Sequence, residues 1–459
     1  MSSQARAAAW VLAALLLGAC GTGHHHQGPP RPPRSSAPAG GSAQTGHPST
    51  SWTTYHGSPS RDGWAAGGPD PSSARVVWSA RVTGAVLASP VIADGLVLVG
   101  TEDDAVVALS QGSGKVVWRA DLGQPVPGSA LPCGNVDPSG ITGTPVVDPS
   151  RGLVWVVAFL RGGHHQLVSL DVRTGAVQTR RPADLPGDNP TVEQQRGALA
   201  LDGNEVLIPY GGLFGDCGSY HGGLLAVPES GGSPRSWQVP AAKGGGIWAP
   251  SGPAVAPGGE IYVATGNSSP PDRFDYGDAV VELSPSLRPL SAFGPSDWSR
   301  LDAADLDLGS TGPVLVGGGM VFQVGKEGTG YLLRASELGG VGGQASSGPA
   351  CGGGAYGASA AHGGMVFVPC AGGLVGLRLG GAGFSRAWRD PAVVSGSPVV
   401  AGGVVWAQVP RAGTLVALDP ATGRKLGTLD VGVASRFAAP AVAAGRLVVA
   451  AGSTVESIG

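Results

Sequence analysis

The chain has 459 residues, 80 of them glycine, with 42% apolar and only 13% charged residues and a formal net charge of −3. An apolar fraction of that size excludes a disordered chain, and the absence of a basic excess argues against a nucleic-acid partner. Glycine and proline mixed with short Val, Leu and Ala runs point to many short strands joined by tight turns.

The N-terminus carries the first clear signal. Arg6 precedes an apolar stretch over residues 7–19. That stretch is too short to cross a hydrocarbon core of about 30 Å as a helix, so it reads as a signal peptide. It closes on Leu17-Gly18-Ala19-Cys20, the pattern of a bacterial lipobox. Residues 1–19 are therefore expected to be a lipoprotein signal peptide. Cys20 is expected to be the lipidated first residue of an exported protein held on the outer face of the cell membrane, for which two acyl chains suffice. Residues 20–50 are rich in Gly, Pro, Ser and His without an apolar period and read as a disordered tether, with His24, His25 and His26 as linker residues.

An isolated strand follows at Arg75-Val76-Val77-Trp78, and then a repeat begins. Ser89-Pro90-Val91-Ile92, a turn at Asp94-Gly95, the run 96–100, the run 105–109, a turn at Ser113-Gly114 and Val116-Val117-Trp118 make four short strands with glycine turns, a meander. The same order recurs after Pro145, Pro253, Pro313, Pro398 and Pro440, mostly about 40 to 60 residues apart, the spacing of propeller blades. Two gaps are about twice as long, and each holds a degenerate copy, Ala198-Leu199-Ala200-Leu201 before residues 206–209 and residues 358–361 before residues 365–369. That makes eight units. Trp118, Trp237 and Trp388 fall in fourth strands, where a large aromatic would pack between adjacent sheets. The last unit stops after its third strand, and the isolated strand at 75–78 supplies the missing fourth. The expected fold is all-β: an eight-bladed propeller over residues 51–459, with four-stranded antiparallel blades, closed by an N-terminal strand that completes the last blade.

Four cysteines remain after Cys20: Cys133, Cys217, Cys351 and Cys370. An even count in an exported chain suggests disulfides, with three connectivities open. Cys351 and Cys370 flank a hairpin turning at His362-Gly363-Gly364 and could meet across it; Cys133 and Cys217 would then join loops of neighbouring repeats. No C-x-x-C spacing occurs, which argues against zinc.

The units resemble the quinoprotein, or PQQ-like, repeat. The resemblance rests on the strand 96–100, Ala108-Leu109 and Gly114-Lys115-Val116-Val117-Trp118, and on a second copy at Val416-Ala417-Leu418-Asp419-Pro420-Ala421-Thr422-Gly423. The opening Trp52-Thr53-Thr54-Tyr55-His56-Gly57 with Arg61-Asp62-Gly63 is similar to the lead-in of such propellers. This superfamily holds PQQ- and calcium-dependent dehydrogenases and non-enzymatic propellers such as the BamB-like lipoproteins. A lipobox, a linker and a propeller resemble the second group in layout. That layout implies a monomeric, non-enzymatic surface module without a cofactor, anchored in the membrane and binding a protein, peptide or glycan partner.

The first group implies other residues. Asn267 in Thr265-Gly266-Asn267 resembles a calcium ligand, Asp307 in Asp305-Leu306-Asp307 resembles the catalytic base, and Lys326 resembles the lysine that contacts the quinone. Calcium takes oxygen ligands, a carboxylate would accept the alcohol proton, and a cation would stabilise the reduced quinone. The alternative reading is thus a PQQ- and calcium-dependent dehydrogenase of alcohols or sugars. The pattern departs from that group in lacking adjacent cysteines, a c-type haem motif and an acidic ligand from an earlier blade, since Glu193 precedes a first strand. The glycine-rich segment 211–222 is expected to be a disulfide-pinned turn, although Asp216, Tyr220 and His221 could line the mouth of a central channel. His164 and His165 are expected in a solvated hairpin turn.

Overall fold

The four apolar runs of the first repeat fold as Val91–Ala93, Leu96–Thr101, Ala105–Ser110 and Val116–Asp121, a four-stranded antiparallel sheet. A computed structural model describes residues 49–269, 273–381 and 383–459. The signal peptide, Cys20 and the tether up to residue 48 lie outside the described residues. Eight such sheets follow one another, and the first strands of successive blades touch around a common axis. Both degenerate copies are full blades, Ala200–Asp202 to Arg235–Gln238 as the third and Ala360–His362 to Gly383–Asp390 as the sixth.

Burial explains the composition of each strand. The second strand of blade one, Leu96–Thr101, is buried at every position, because neighbouring blades cover both faces, and it is correspondingly apolar without alternation. The outer strand Val116–Asp121 is exposed except at Trp118 and its partly covered neighbour Ala120. Trp118 reaches across to blade two, where its indole N–H donates to the Val172 carbonyl at 2.9 Å. Its ring lies so close to Gly175 that a Cβ there would meet it at 2.5 Å. Trp78 repeats this contact on Gly114, and Trp388 repeats it on Gly423. Each of these glycines has φ near +70°, which suits the turn, but the indole leaves no room for a side chain in any case. The tryptophans are thus bolts between successive sheets, as the repeat implies.

The ring closes as expected. Val76–Arg81 pairs antiparallel with Thr454–Ile458 and completes blade eight. Three additions break the four-stranded rule. Trp64–Ala65 pairs parallel with the inner strand of blade seven, Gly340–Val341 pairs parallel with the outer strand of blade four, and Glu193–Gln194 joins the second strand of blade three. A short helix, Trp298–Ala303, lies between blades four and five.

The segment ahead of the first blade crosses the end of the channel. The carbonyls of Ser49, Trp52, Thr53, Pro59, Ser60, Asp62 and Gly63 accept from the backbone N–H groups of Ala444, Ile92, Val147, Val255, Leu315, Ala361 and Val400. These seven amides lie at the inner strands of seven blades. Blade three is reached by Arg61, fully buried, whose Nη2 donates to the Leu199 carbonyl at 3.1 Å. Arg61 also donates to the Pro253 and Tyr55 carbonyls and the Thr54 hydroxyl. Burial pushes its guanidinium down to about 9. Residues 49–63 therefore form a stopper that touches all eight blades.

Cys133 bonds to Cys217 and Cys351 to Cys370. Cys351 lies in the crossing from blade five to blade six, so this bridge ties that crossing to the end of the strand Met365–Cys370.

Candidate functional site: an axial funnel

The stretch leading into each inner strand comes out on the axis at the end away from the stopper. Asn135, Arg196, Trp248, Asp307, Tyr356 and Phe437, from the approaches to blades two, three, four, five, six and eight, line a single cavity of about 540 Å3. Loops after second strands add Phe214 and Asp216 from blade three, Asn267 from blade four and Lys326 from blade five. Lining from so many blades places the cavity on the axis. Tyr55 of the stopper donates to the Phe437 carbonyl at 3.1 Å beneath it, so the funnel is closed below and open above.

One wall brings together the three residues singled out in sequence. The Asn267 backbone N–H donates to Asp307 Oδ1 at 2.7 Å. The Lys326 ammonium lies 2.7 Å from Asp307 Oδ2 and 2.8 Å from Asp305 Oδ1. Burial alone would lower this lysine, but the Asp307 and Asp305 carboxylates outweigh it and raise the ammonium to about 12. Burial also pushes Asp307 above the ordinary carboxylate value, offset in part by Lys326. Gly266 permits the close packing, since a Cβ there would meet Asp307 at 2.9 Å and the Trp248 indole at 3.1 Å.

The rest of the lining is cationic and aromatic and adjoins this wall through Trp248, and sequence reading missed it. The Arg196 guanidinium lies 4.8 Å over the Phe437 ring, Arg436 lies 4.6 Å over Tyr356, and Lys326 lies 5.9 Å from Trp248. Arg196 makes one long contact, 3.4 Å, to Gln194 Oε1. The position of these residues just ahead of the inner strands was the available signal.

The remaining sequence candidates divide. Asp216 and Tyr220 line the funnel, joined by a 2.7 Å hydrogen bond, on the loop that Cys217 pins to Cys133. The segment is thus both the pinned turn and part of the mouth. His221 instead meets Asp188 at 2.9 Å, away from the cavity lining. His165 corrects the expectation of a solvated turn: it is buried, stacked on Phe159 and held by Asp184, because this hairpin folds back against the chain leaving blade two. His164 remains exposed. Among the described residues no cluster of three His, Cys, Asp or Glu groups can hold a metal ion.

Glu193 is fully buried, and neither oxygen meets a hydrogen-bond donor. Its strand neighbour Gln194 lines the funnel, and alternation turns Glu193 to the other side. Burial, with the Asp188 charge adding to it, raises Glu193 from 4.5 to about 9. The folded state then holds a proton that the unfolded chain releases above its own pKa, so stability should fall as pH rises from about 5 to 9. Urea denaturation across that range should show the slope, and Glu193→Gln should lessen it, the remainder coming from Glu102, Asp104 and Asp278, which burial also raises; an unchanged slope would refute the assignment.

A family model described as outer membrane protein assembly factor BamB matches residues 68–273. The chain folds as an eight-bladed β-propeller, and under half of it matches that family model. The outer membrane protein assembly factor BamB of Yersinia pestis is 29% identical to this chain over 135 residues, which are 29% of the chain and 33% of the relative. The match thus spans a third of that relative's length. Among solved structures, the quinohemoprotein alcohol dehydrogenase of Comamonas testosteroni superposes with a TM-score of 0.70 at 17% identity, over 89% of this chain and 80% of that one. BamB of Moraxella catarrhalis superposes with a TM-score of 0.57 at 14% identity, over 84% and 97%. At such identities these likenesses speak for the shared propeller fold.

Proposed function

We propose that this propeller is a non-enzymatic, monomeric scaffold, exported and lipid-anchored through Cys20, that binds a protein, peptide or glycan partner at the open mouth of its funnel. The observation that carries the reading is the Lys326 ammonium between Asp305 and Asp307. It neutralises the carboxylates that calcium would require; of the other acidic candidates, Asp216 accepts from the Tyr220 hydroxyl and Glu193 is turned away. Such a donor set does not fit calcium, which takes six to eight oxygens. The local similarity to an assembly factor supports the same reading.

A second reading, a PQQ- and calcium-dependent dehydrogenase, is favoured by the meeting of Asn267, Asp307 and Lys326 on one wall. Titration of the purified full chain with PQQ and calcium separates the two. No rise in melting temperature and no oxidation of alcohols or sugars are expected. A rise abolished by Lys326→Ala, accompanied by turnover, would overturn the scaffold reading.

A further inference from the structure

Neither arginine of the funnel makes an ion pair among the described residues, although the buried Glu102 carboxyl is near enough to Arg196 to favour its charge. Arg436 makes no hydrogen bond or ion pair among the described residues beyond its contact with Tyr356, and Arg196 has only the long contact to Gln194. The acidic wall is not available to them, since Asp305 and Asp307 are held by Lys326. Burial pushes both guanidiniums below the usual arginine value, a cost that a bound anion would offset. A guanidinium offers a planar fork of donors matched to a carboxylate. Around these donors the walls are flat and apolar: Phe437 beneath Arg196, and Trp248 edge-on to Phe437 at 6.4 Å.

The rim says what lies beyond the carboxylate. Phe214 is 67% exposed on the disulfide-pinned loop at the mouth, and Val433, outside the cavity lining and 69% exposed, lies three residues along the chain from the lining residue Arg436. A small molecule held inside the funnel would leave both in water. A polypeptide continuing outward would cover them.

We infer that the funnel takes the C-terminal end of a partner polypeptide, with its terminal carboxylate on Arg196 and Arg436, its last apolar side chain against Trp248 and Phe437, and the preceding residues over Phe214 and Val433. This rests on the scaffold reading and names the partner's chemistry. A charge-assisted contact is among the stronger polar contacts, so loss of one arginine should weaken binding about tenfold or more, about 1.4 kcal/mol.

The test uses the purified full chain and a fluorescein-labelled peptide, Gly-Ser-Gly-Val-Leu-Phe, as the free acid and as the C-terminal amide, followed by fluorescence anisotropy. The acid should bind at least about tenfold more tightly than the amide, and Arg196→Gln and Arg436→Gln should each remove that preference. Arg288→Gln, an exposed change of equal charge in blade four, should not. Unchanged melting temperatures would show that the variants are folded. Equal binding of acid and amide, or no binding of either at millimolar peptide, would overturn the carboxylate inference while leaving the scaffold reading intact. Displacement of the acid by PQQ with turnover would overturn both.

Discussion

Arg61→Ala should destabilise the propeller by about 3 kcal/mol or more, since several buried acceptors lose their donor at about 1 to 3 kcal/mol each. The residue makes four hydrogen bonds to acceptors at 2.5 to 3.1 Å, from Thr54 and Tyr55 in its own segment and from Leu199 and Pro253 at the thresholds of blades three and four. Alanine would leave all four acceptors in a dry interior and a void on the axis. Arg61→Lys should recover little, because a single ammonium cannot reproduce the fork that spans these stations. Guanidinium denaturation monitored by tryptophan fluorescence measures the effect. A loss under about 1 kcal/mol would mean that water replaces the side chain and that the stopper is held by its backbone alone.

Trp118→Ala should cost a similar amount, about 3 to 5 kcal/mol, the range for truncating a buried tryptophan. It deletes the ring packed on Gly175 and orphans the Val172 carbonyl. Gly175→Ala should act in the same direction from the other side, because its Cβ would enter the indole at 2.5 Å and its φ of +73° disfavours a side chain. The double variant Trp118→Ala/Gly175→Ala should lose less than the sum, since the clash disappears with the ring. Strict additivity in the same denaturation assay would show that the two residues do not communicate.

Most of the fold was legible because a blade is a local object. Runs such as 96–100 and 105–109, their turns at Asp94-Gly95 and Ser113-Gly114, and the tryptophan at the end of the unit all lie within about 30 residues, so one reading frame captures them. Ring closure was legible for a different reason, an odd strand at 75–78 and a missing one after Ile458. The parallel additions Trp64–Ala65 and Gly340–Val341 were not, because strands of two residues carry no period. The stopper was visible only as a family-like lead-in: apart from the Arg61 and Tyr55 side chains, its contacts are backbone carbonyls to backbone amides, which leave no side-chain pattern. In the funnel, Asn267, Asp307 and Lys326 could be picked out through resemblance, and they do share a wall. Arg196, Trp248, Tyr356, Arg436 and Phe437 could not, because each is an ordinary loop residue until six blades bring the loops to one axis.

The stopper also sets the order in which the molecule can mature. Ser49 meets Ala444, and Val76–Arg81 meets Thr454–Ile458, so the earliest-made stretch finds its partners only when the last-made one exists. Open solenoids can consolidate repeat by repeat from either end. Here the first and last contacts are the same event, and pairings so distant along the chain slow the search for the native state. The blades stay uncapped and exchangeable until blade eight has formed, and the ring then locks once.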